Sequence, residues 1–101
     1  MIQATTPTHT FKLPFETAAI QSLRVTYAQD GVTVLTKKEL GEFTLLEKSA
    51  QITLTQKETL LFDPEKPVQV QMRVLTMGGD ALASKIKRVP CSAVLDKEVL
   101  V

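Results

Sequence analysis

Apolar and polar residues alternate with a period of two along most of this chain. The clearest run sets four apolar residues against three polar ones: Val68, Val70, Met72 and Val74 against Gln69, Gln71 and Arg73. Successive side chains of a β-strand point to opposite faces, so we expect the apolar set in the core and the polar set outside. Similar runs occupy residues 8–13, 23–28, 32–36, 43–46, 51–55 and 82–86. The pattern predicts about seven antiparallel strands.

One stretch, from Thr55 to Phe62, breaks the alternation. Thr55 followed by Glu58 at the third position is a capping-box pattern, which predicts one helical turn crossing from one sheet to another. About seven short strands with turn signals between them and a single crossover are typical of a two-sheet arrangement. The chain is therefore predicted to be all-β, an antiparallel β-sandwich of immunoglobulin-like character. A β-barrel is the competing layout.

Two glycine-containing turns separate apolar runs. Asp30-Gly31 supplies the positive φ angles that a two-residue hairpin needs. The Gly78-Gly79 pair could resemble a phosphate-binding loop, but such a loop requires a helix after its glycines, and an alternating run follows here. We therefore interpret Gly78-Gly79-Asp80 as a hairpin turn. Because loops often carry function, Asp30, Gly31, Gly78, Gly79 and Asp80 are the candidate interaction positions.

The chain has 101 residues, which predicts one domain over residues 1–101. Residues 1–7 are expected to be flexible. Residues 92–101 carry apolar side chains such as Val94, Leu95 and Leu100, too many for a free tail. We expect this segment to dock, either on its own domain or on a neighbouring copy, and the sequence leaves the two alternatives open.

The charge and hydropathy of the chain limit the classes of partner that it is expected to bind. Twelve basic and eleven acidic residues leave a net charge of +1, whereas nucleic-acid binders usually carry a strong basic excess. No apolar run approaches the roughly 20 residues that span a bilayer, and the first residues show no export signal. We therefore expect no nucleic-acid or membrane partner, and synthesis in the cytoplasm.

Reactive side chains are sparse. His9 and Cys91 are the single histidine and the single cysteine. A nucleophilic cysteine needs a base and a group that orients the base, and one histidine with one cysteine cannot complete a tetrahedral metal site without added carboxylates. We expect His9 to face water and Cys91 to pack as a small apolar group. No catalytic, cofactor-binding or metal-binding residue is predicted, and the protein is expected not to be an enzyme.

The remaining charged groups form two acidic pairs and one basic run: Asp63 with Glu65, Asp96 with Glu98, and Lys85, Lys87 and Arg88. Catalytic carboxylates need a pocket that separates their pKa values, and nothing in the pattern indicates one, so these acids are expected to be solvated. Lysines on an edge strand commonly block sheet-to-sheet aggregation. No aromatic residues alternate with the basic run, which argues against stacking on nucleic-acid bases.

Three segments, "LRVTYAQDG", "ITLTQKETLLF" and "VQVQMRVLTMGGDALAS", together resemble small uncharacterised proteins encoded in prophages of Gram-positive bacteria. The resemblance covers about residues 8 to 89. By strand order and crossover the chain is also similar, more distantly, to the immunoglobulin-like N-terminal domain of phage baseplate upper proteins. Neither resemblance supplies catalytic residues.

The resemblance implies a non-enzymatic virion structural or morphogenesis protein. Such a protein would act through contacts with other virion components or with itself, as a homo-oligomer, and would be assembled into a virion after synthesis. The alternative is a small carbohydrate- or ligand-binding β-sandwich module, which would need an exposed concave face with polar and aromatic groups. No sequence feature supports a third class, a small enzyme or an inhibitor of host proteins.

Overall fold

The computed structural model describes all 101 residues of the chain. It contains eight strands and one short α-helix, in the order β1 (Thr8–Lys12), β2 (Ile20–Gln29), β3 (Val32–Lys37), β4 (Phe43–Leu46), β5 (Ser49–Thr53), α1 (Gln56–Thr59), β6 (Val68–Thr76), β7 (Ala81–Ala83) and β8 (Lys87–Val89). Single 3-10 turns at Thr17–Ala19 and Leu40–Glu42 lead into β2 and β4. No helix is long and apolar enough to cross a membrane.

The strands form two antiparallel sheets. One has the order β1-β5-β4, and the other has the order β3-β2-β6-β7, with β8 also paired to β6. If β1 takes the place of strand B of an immunoglobulin domain, the strands that follow take the places of C, C′, D, E, F and G, the last being shared by β7 and β8. The sheets then read B-E-D and C′-C-F-G, which is the immunoglobulin arrangement without its first strand. The prediction of an immunoglobulin-like antiparallel sandwich is confirmed.

The core lies between the two sheets, and the alternation in β6 decides which side chains enter it. Val68, Val70, Met72 and Val74 are buried, whereas Arg73 is exposed and the glutamines between them are partly exposed. The matching positions of β2 and β5 complete the core. Its buried apolar members are Phe11, Ile20, Leu23, Val25, Tyr27, Phe43, Ala50, Ile52, Leu54, Phe62, Val68, Val70, Met72, Val74 and Cys91. The predicted inward and outward faces of β6 are therefore confirmed.

The helical crossover forms as the capping pattern predicts. The Glu58 backbone N–H donates to the Thr55 hydroxyl at 3.2 Å, and the Thr55 backbone N–H donates to the Glu58 carboxylate at 2.8 Å. Each bond satisfies a backbone donor that the first helical turn leaves free. Thr59 is fully buried beneath this turn and anchors it, because its hydroxyl donates to the Thr5 carbonyl.

The last alternating run was expected to form one strand, but this part of the chain forms two, β7 and β8. Ser84 ends β7, because its hydroxyl accepts a hydrogen bond from the Met72 N–H at 3.0 Å and its own N–H donates to the Met72 carbonyl. The chain then bends and resumes as β8. Leu82, which lies opposite Val74, is 44% exposed. No further strand lies outside β7 to cover it.

The two ends of the chain lie together. A parallel bridge joins Ile2 to Ser92, and the Gln3 N–H donates to the Ser92 carbonyl at 3.0 Å. The Gln3 side chain is buried. Residues 1–7, which were expected to be flexible, thus make specific contacts with the segment after β8.

Beyond Ser92 the chain forms no strand. Gln56 holds the segment through two amide contacts: the Leu100 N–H donates to Gln56 Oε1 at 2.8 Å, and Gln56 Nε2 donates to the Leu100 carbonyl at 3.0 Å. The side chains of Leu95, Leu100 and Val101 nevertheless remain exposed. The segment is therefore attached to its own domain through its backbone, while much of its apolar surface is left free.

Candidate interaction surface

The two predicted loops lie at opposite ends of the larger sheet. Asp30-Gly31 joins the end of β2 to β3, and Gly78-Gly79-Asp80 joins the end of β6 to β7. The ten residues of β2 separate them by about 30 Å. The five candidate positions therefore do not form one binding site.

The Asp30-Gly31 turn has the expected hairpin geometry, with φ angles of 51° and 75°. It is tied down by its neighbours. The Gly31 N–H donates to Gln69 Oε1 at 3.0 Å, and Lys66 Nζ lies 3.0 Å from the Asp30 carboxylate. That hydrogen bond raises the pKa of Lys66. The contacts account for this turn as a structural feature.

The Gly78-Gly79-Asp80 turn is a hairpin turn, as predicted. Gly79 has a φ of 91°, in the left-handed region, and the Asp80 N–H donates to the Thr76 hydroxyl at 3.1 Å. The Met77 N–H donates to the Ala19 carbonyl, which places the turn beside the connection between β1 and β2. Met77 itself is exposed.

His9 and Cys91 do not form a nucleophile pair. His9 is half-buried, and its Nδ1 lies 2.7 Å from the Tyr27 hydroxyl. Burial and the positively charged N-terminus lower the pKa of His9, so the imidazole is neutral at pH 7. The expectation that His9 faces water is wrong, because Tyr27 of the opposite sheet draws it inward. Cys91 packs in the core, and burial raises the pKa of its thiol.

A buried lysine is the most unusual polar group in the fold. Lys37 points into the sandwich because it lies opposite Val25, and its ammonium contacts the carboxylates of Glu58 at 2.5 Å and Glu42 at 2.9 Å. Burial alone would lower the pKa of Lys37, but the hydrogen bonds to Glu58 and Glu42 raise it. Burial alone would likewise raise the pKa of Glu58, but the hydrogen bond from Lys37 lowers it. The group keeps a net charge of −1, and its ion pairs tie the end of β3 to α1.

The alternation of apolar and polar residues did not predict the burial of Lys37, because β3 contains a bulge. The register shifts between Tyr27 and Ala28, so that Leu35 faces Tyr27 while Thr33 faces Ala28. The extra residue, Val34, reverses the phase of the strand. Lys37 thereby follows Leu35 onto the inner face. A pattern of apolar residues alone could not locate the bulge.

The other charged groups behave as surface residues. In each acidic pair, one carboxylate accepts a hydrogen bond from the backbone N–H two residues later: Asp63 from Glu65, and Asp96 from Glu98. No group of three or more His, Cys, Asp or Glu side chains is placed to hold a metal ion. The basic run of Lys85, Lys87 and Arg88 is exposed at the edge, as expected.

An apolar groove opens between the sheets on the side where β1 and β7 form the two edges. It encloses about 310 Å³. Its floor is made by the inner faces of both sheets, and its apolar lining comprises Phe11, Leu13, Pro14, Phe15, Met72, Val74, Leu82 and Ala83. Lys12 and Lys87 also line it. The groove, which we call the edge groove, exposes core side chains because the immunoglobulin strand beside β1 is missing.

The backbone beside the edge groove has free hydrogen-bonding groups. Ser84 exchanges hydrogen bonds with Met72, and the Thr76 N–H donates to the Asp80 carbonyl. Bonded and outward-facing residues alternate along an antiparallel strand. The N–H and C=O groups of Ala81 and Ala83 therefore point outward. Unlike β8, β7 has no charged side chain that would block pairing with another strand.

Comparisons with known proteins give little beyond the fold. No protein-family model matches the chain, and no curated protein matches its sequence. Among solved structures, the chain is similar to the V domain of amphioxus IgVJ-C2, with 10% identity, coverage of 90% of this chain and 96% of that chain, and a TM-score of 0.35. None of these findings supports a prophage origin, which stays a prediction from the sequence segments.

Proposed function

We propose that this chain is a non-enzymatic protein-contact module that pairs with an extended segment of a partner at the edge of β7. The observation that carries the proposal is the edge groove, an apolar hollow lying directly beside unpaired backbone groups. In strand addition, main-chain hydrogen bonds give affinity, and pockets for alternate side chains give specificity. The edge groove supplies the pocket, and Ala81 and Ala83 supply the main-chain partners.

The energetic case rests on Leu82 and the groove beneath it. A partner side chain that fills the groove would cover Leu82 and the exposed parts of Phe15 and Leu13. Burial of an aliphatic side chain contributes about 1.5–3 kcal/mol, and two or three such contacts with several backbone bonds can support micromolar association after the cost of binding.

The sequence resemblance to prophage proteins leads us to place this module in a virion or in its assembly. Repeated contacts between small domains are how such particles are built, and an open sheet edge is suited to them. A carbohydrate-binding role is the weaker alternative, because Phe11, Tyr27, Phe43 and Phe62 are committed to the core.

The proposal is tested on particles purified from an induced culture of a host that carries the gene. The particles are cross-linked, and the cross-linked peptides are identified by mass spectrometry. Lys12 and Lys87 line the edge groove and should form amine cross-links to another particle protein or to a second copy. The variant Ala83→Pro removes one outward N–H, a change that an edge strand tolerates, and should lose incorporation. Ala83→Ser keeps the N–H and should be incorporated normally.

Two outcomes would refute the proposal. The chain could be missing from particles and from assembly intermediates, which would refute the virion role. Alternatively, Ala83→Pro could be incorporated to the same extent as Ala83→Ser, with cross-links confined to lysines far from the groove such as Lys57 and Lys66. That result would refute the β7 edge as the contact surface.

A further inference from the structure

The outer face of the larger sheet carries an arrangement of charge that its own fold does not explain. Arg24 of β2 and Arg73 of β6 are directly opposite each other in the register, and both are exposed. Like charges at directly opposed positions destabilise a sheet. Neither arginine forms a salt bridge within the chain. Arg73 is therefore free to bind an external carboxylate.

The arginines lie in a shallow hollow of about 420 Å³. Lys38, the residue after β3, adds a third positive charge to its lining, and Glu39 adds one negative charge. The other lining residues are Ser22, Leu23, Val74, Leu75 and Ala81. Arg73 is also opposite Ala83 on its other side. Because an alanine side chain is short, the Arg73 side chain can extend across β7 toward a strand added at its open edge.

We infer that the segment added to β7 is residues 94–99 of a second copy of this chain, recognised through its carboxylates by Arg73. This inference rests on the proposed function. In an extended segment, side chains alternate between the two faces of the sheet. Val94, Asp96 and Glu98 then share one face, and Leu95, Lys97 and Val99 share the other.

These two faces match the two surfaces beside β7. The inner surface is the apolar edge groove, which accepts Leu95 and Val99. The outer surface is the side of the hollow nearest β7, where Arg73 can bind Asp96 or Glu98, because a guanidinium binds a carboxylate through two parallel hydrogen bonds. Lys97 falls on the inner face, where its aliphatic stem can lie along the groove while its ammonium reaches water at the open end.

The segment is available for exchange. Leu95 is fully exposed, and the part of the chain after Ser92 is held to its own domain by the Gln56–Leu100 contacts. Only Ala93 separates Ser92 from the paired segment, so the adjacent copy must place its Ser92 directly beside the β7 edge. The free edge of β1 offers a poorer match, since Lys12 is the one charged side chain on that strand.

Charge reversal in the full chain tests the inference. Light scattering at concentrations up to about 100 μM should show association that weakens with added salt. The charge reversal Arg73→Glu should weaken it about tenfold, and so should the pair Asp96→Lys and Glu98→Lys. Combining these three changes should restore the association to near the unmodified level. The matched control, Lys66→Glu beside the Asp30-Gly31 turn at the other end of the larger sheet, should leave it unchanged.

Thermal unfolding of every variant confirms that the fold is retained. Association that survives either reversal, or that the combined variant fails to restore, would overturn the inference. The inference would also be overturned if the full chain stays monomeric at about 100 μM and still enters particles, with entry lost in Ala83→Pro. In that case the proposed function stands and another particle protein occupies the β7 edge.

Discussion

The Tyr27 hydroxyl lies 2.7 Å from His9 Nδ1, and this hydrogen bond joins the two sheets through the sandwich. Tyr27 is fully buried, and its ring also meets Phe62 edge-on with the ring centroids 6.0 Å apart. Burial, together with the charge of Glu58, raises the pKa of the Tyr27 hydroxyl. The hydroxyl therefore stays protonated, and a neutral His9 can accept its hydrogen bond.

Acid should weaken the fold through His9. Its folded-state pKa lies below the ordinary value of 6.5, so the unfolded chain takes up a proton first as the pH falls. The stabilisation is fully present above pH 6.5 and is lost as the pH falls through the lowered pKa, with a slope of at most about 1.4 kcal/mol per pH unit. Urea unfolding of the unmodified chain and of His9→Gln, between pH 7.5 and pH 5, checks this. An equally steep loss in His9→Gln would contradict it.

Removing the buried ammonium should destabilise the fold. Lys37→Met leaves Glu58 and Glu42 without their shared partner and should cost about 1–3 kcal/mol. Lys38→Met, at the exposed neighbouring position, should change stability by less than about 0.5 kcal/mol. Adding Glu58→Gln to Lys37→Met should recover part of the loss, because glutamine keeps the capping acceptor without the charge. Equal effects of the two lysine substitutions in chemical denaturation would count against this role of Lys37.

The Asp30-Gly31 turn depends on a left-handed backbone at Gly31, and substitution of Gly31 tests this directly. Its φ of 75° lies in the left-handed region, so Gly31→Ala should cost about 1–2 kcal/mol. Gly41 has no positive φ and no atom within 4 Å of an added Cβ. Gly41→Ala should therefore be neutral or stabilising by about 0.4–1 kcal/mol. Thermal unfolding of both variants measures the difference. A larger loss of stability in Gly41→Ala than in Gly31→Ala would contradict the left-handed conformation of Gly31.

Local patterns predicted much of this fold. The alternation in β6, the capping box at Thr55 and the Asp30-Gly31 hairpin each depend on residues close in sequence, and each is found in the structure. The inward turn of Lys37 was missed, because it depends on a bulge that only the pairing of β2 with β3 creates.

The candidate interaction surface was harder to predict. The alternation of apolar and polar residues predicts Leu82 to be a core residue. It is exposed, because no strand covers β7. The Arg24–Arg73 pair is visible only when β2 and β6 are placed in register. The apolar content of residues 92–101 was the one local signal, and it predicted docking without indicating where.

Hydrogen exchange at the β7 edge tests the central claim most directly. Leu82 is opposite Val74 and its N–H points into the sheet, so its amide should be protected in both free and assembled protein. The amides of Ala81 and Ala83 point outward, and should exchange rapidly in the free chain and slowly once the edge is paired. NMR of the free chain and of its assembled form measures all three amides. Slow exchange of Ala81 and Ala83 confined to the assembled form is the predicted result, and rapid exchange of both in that form would contradict the account.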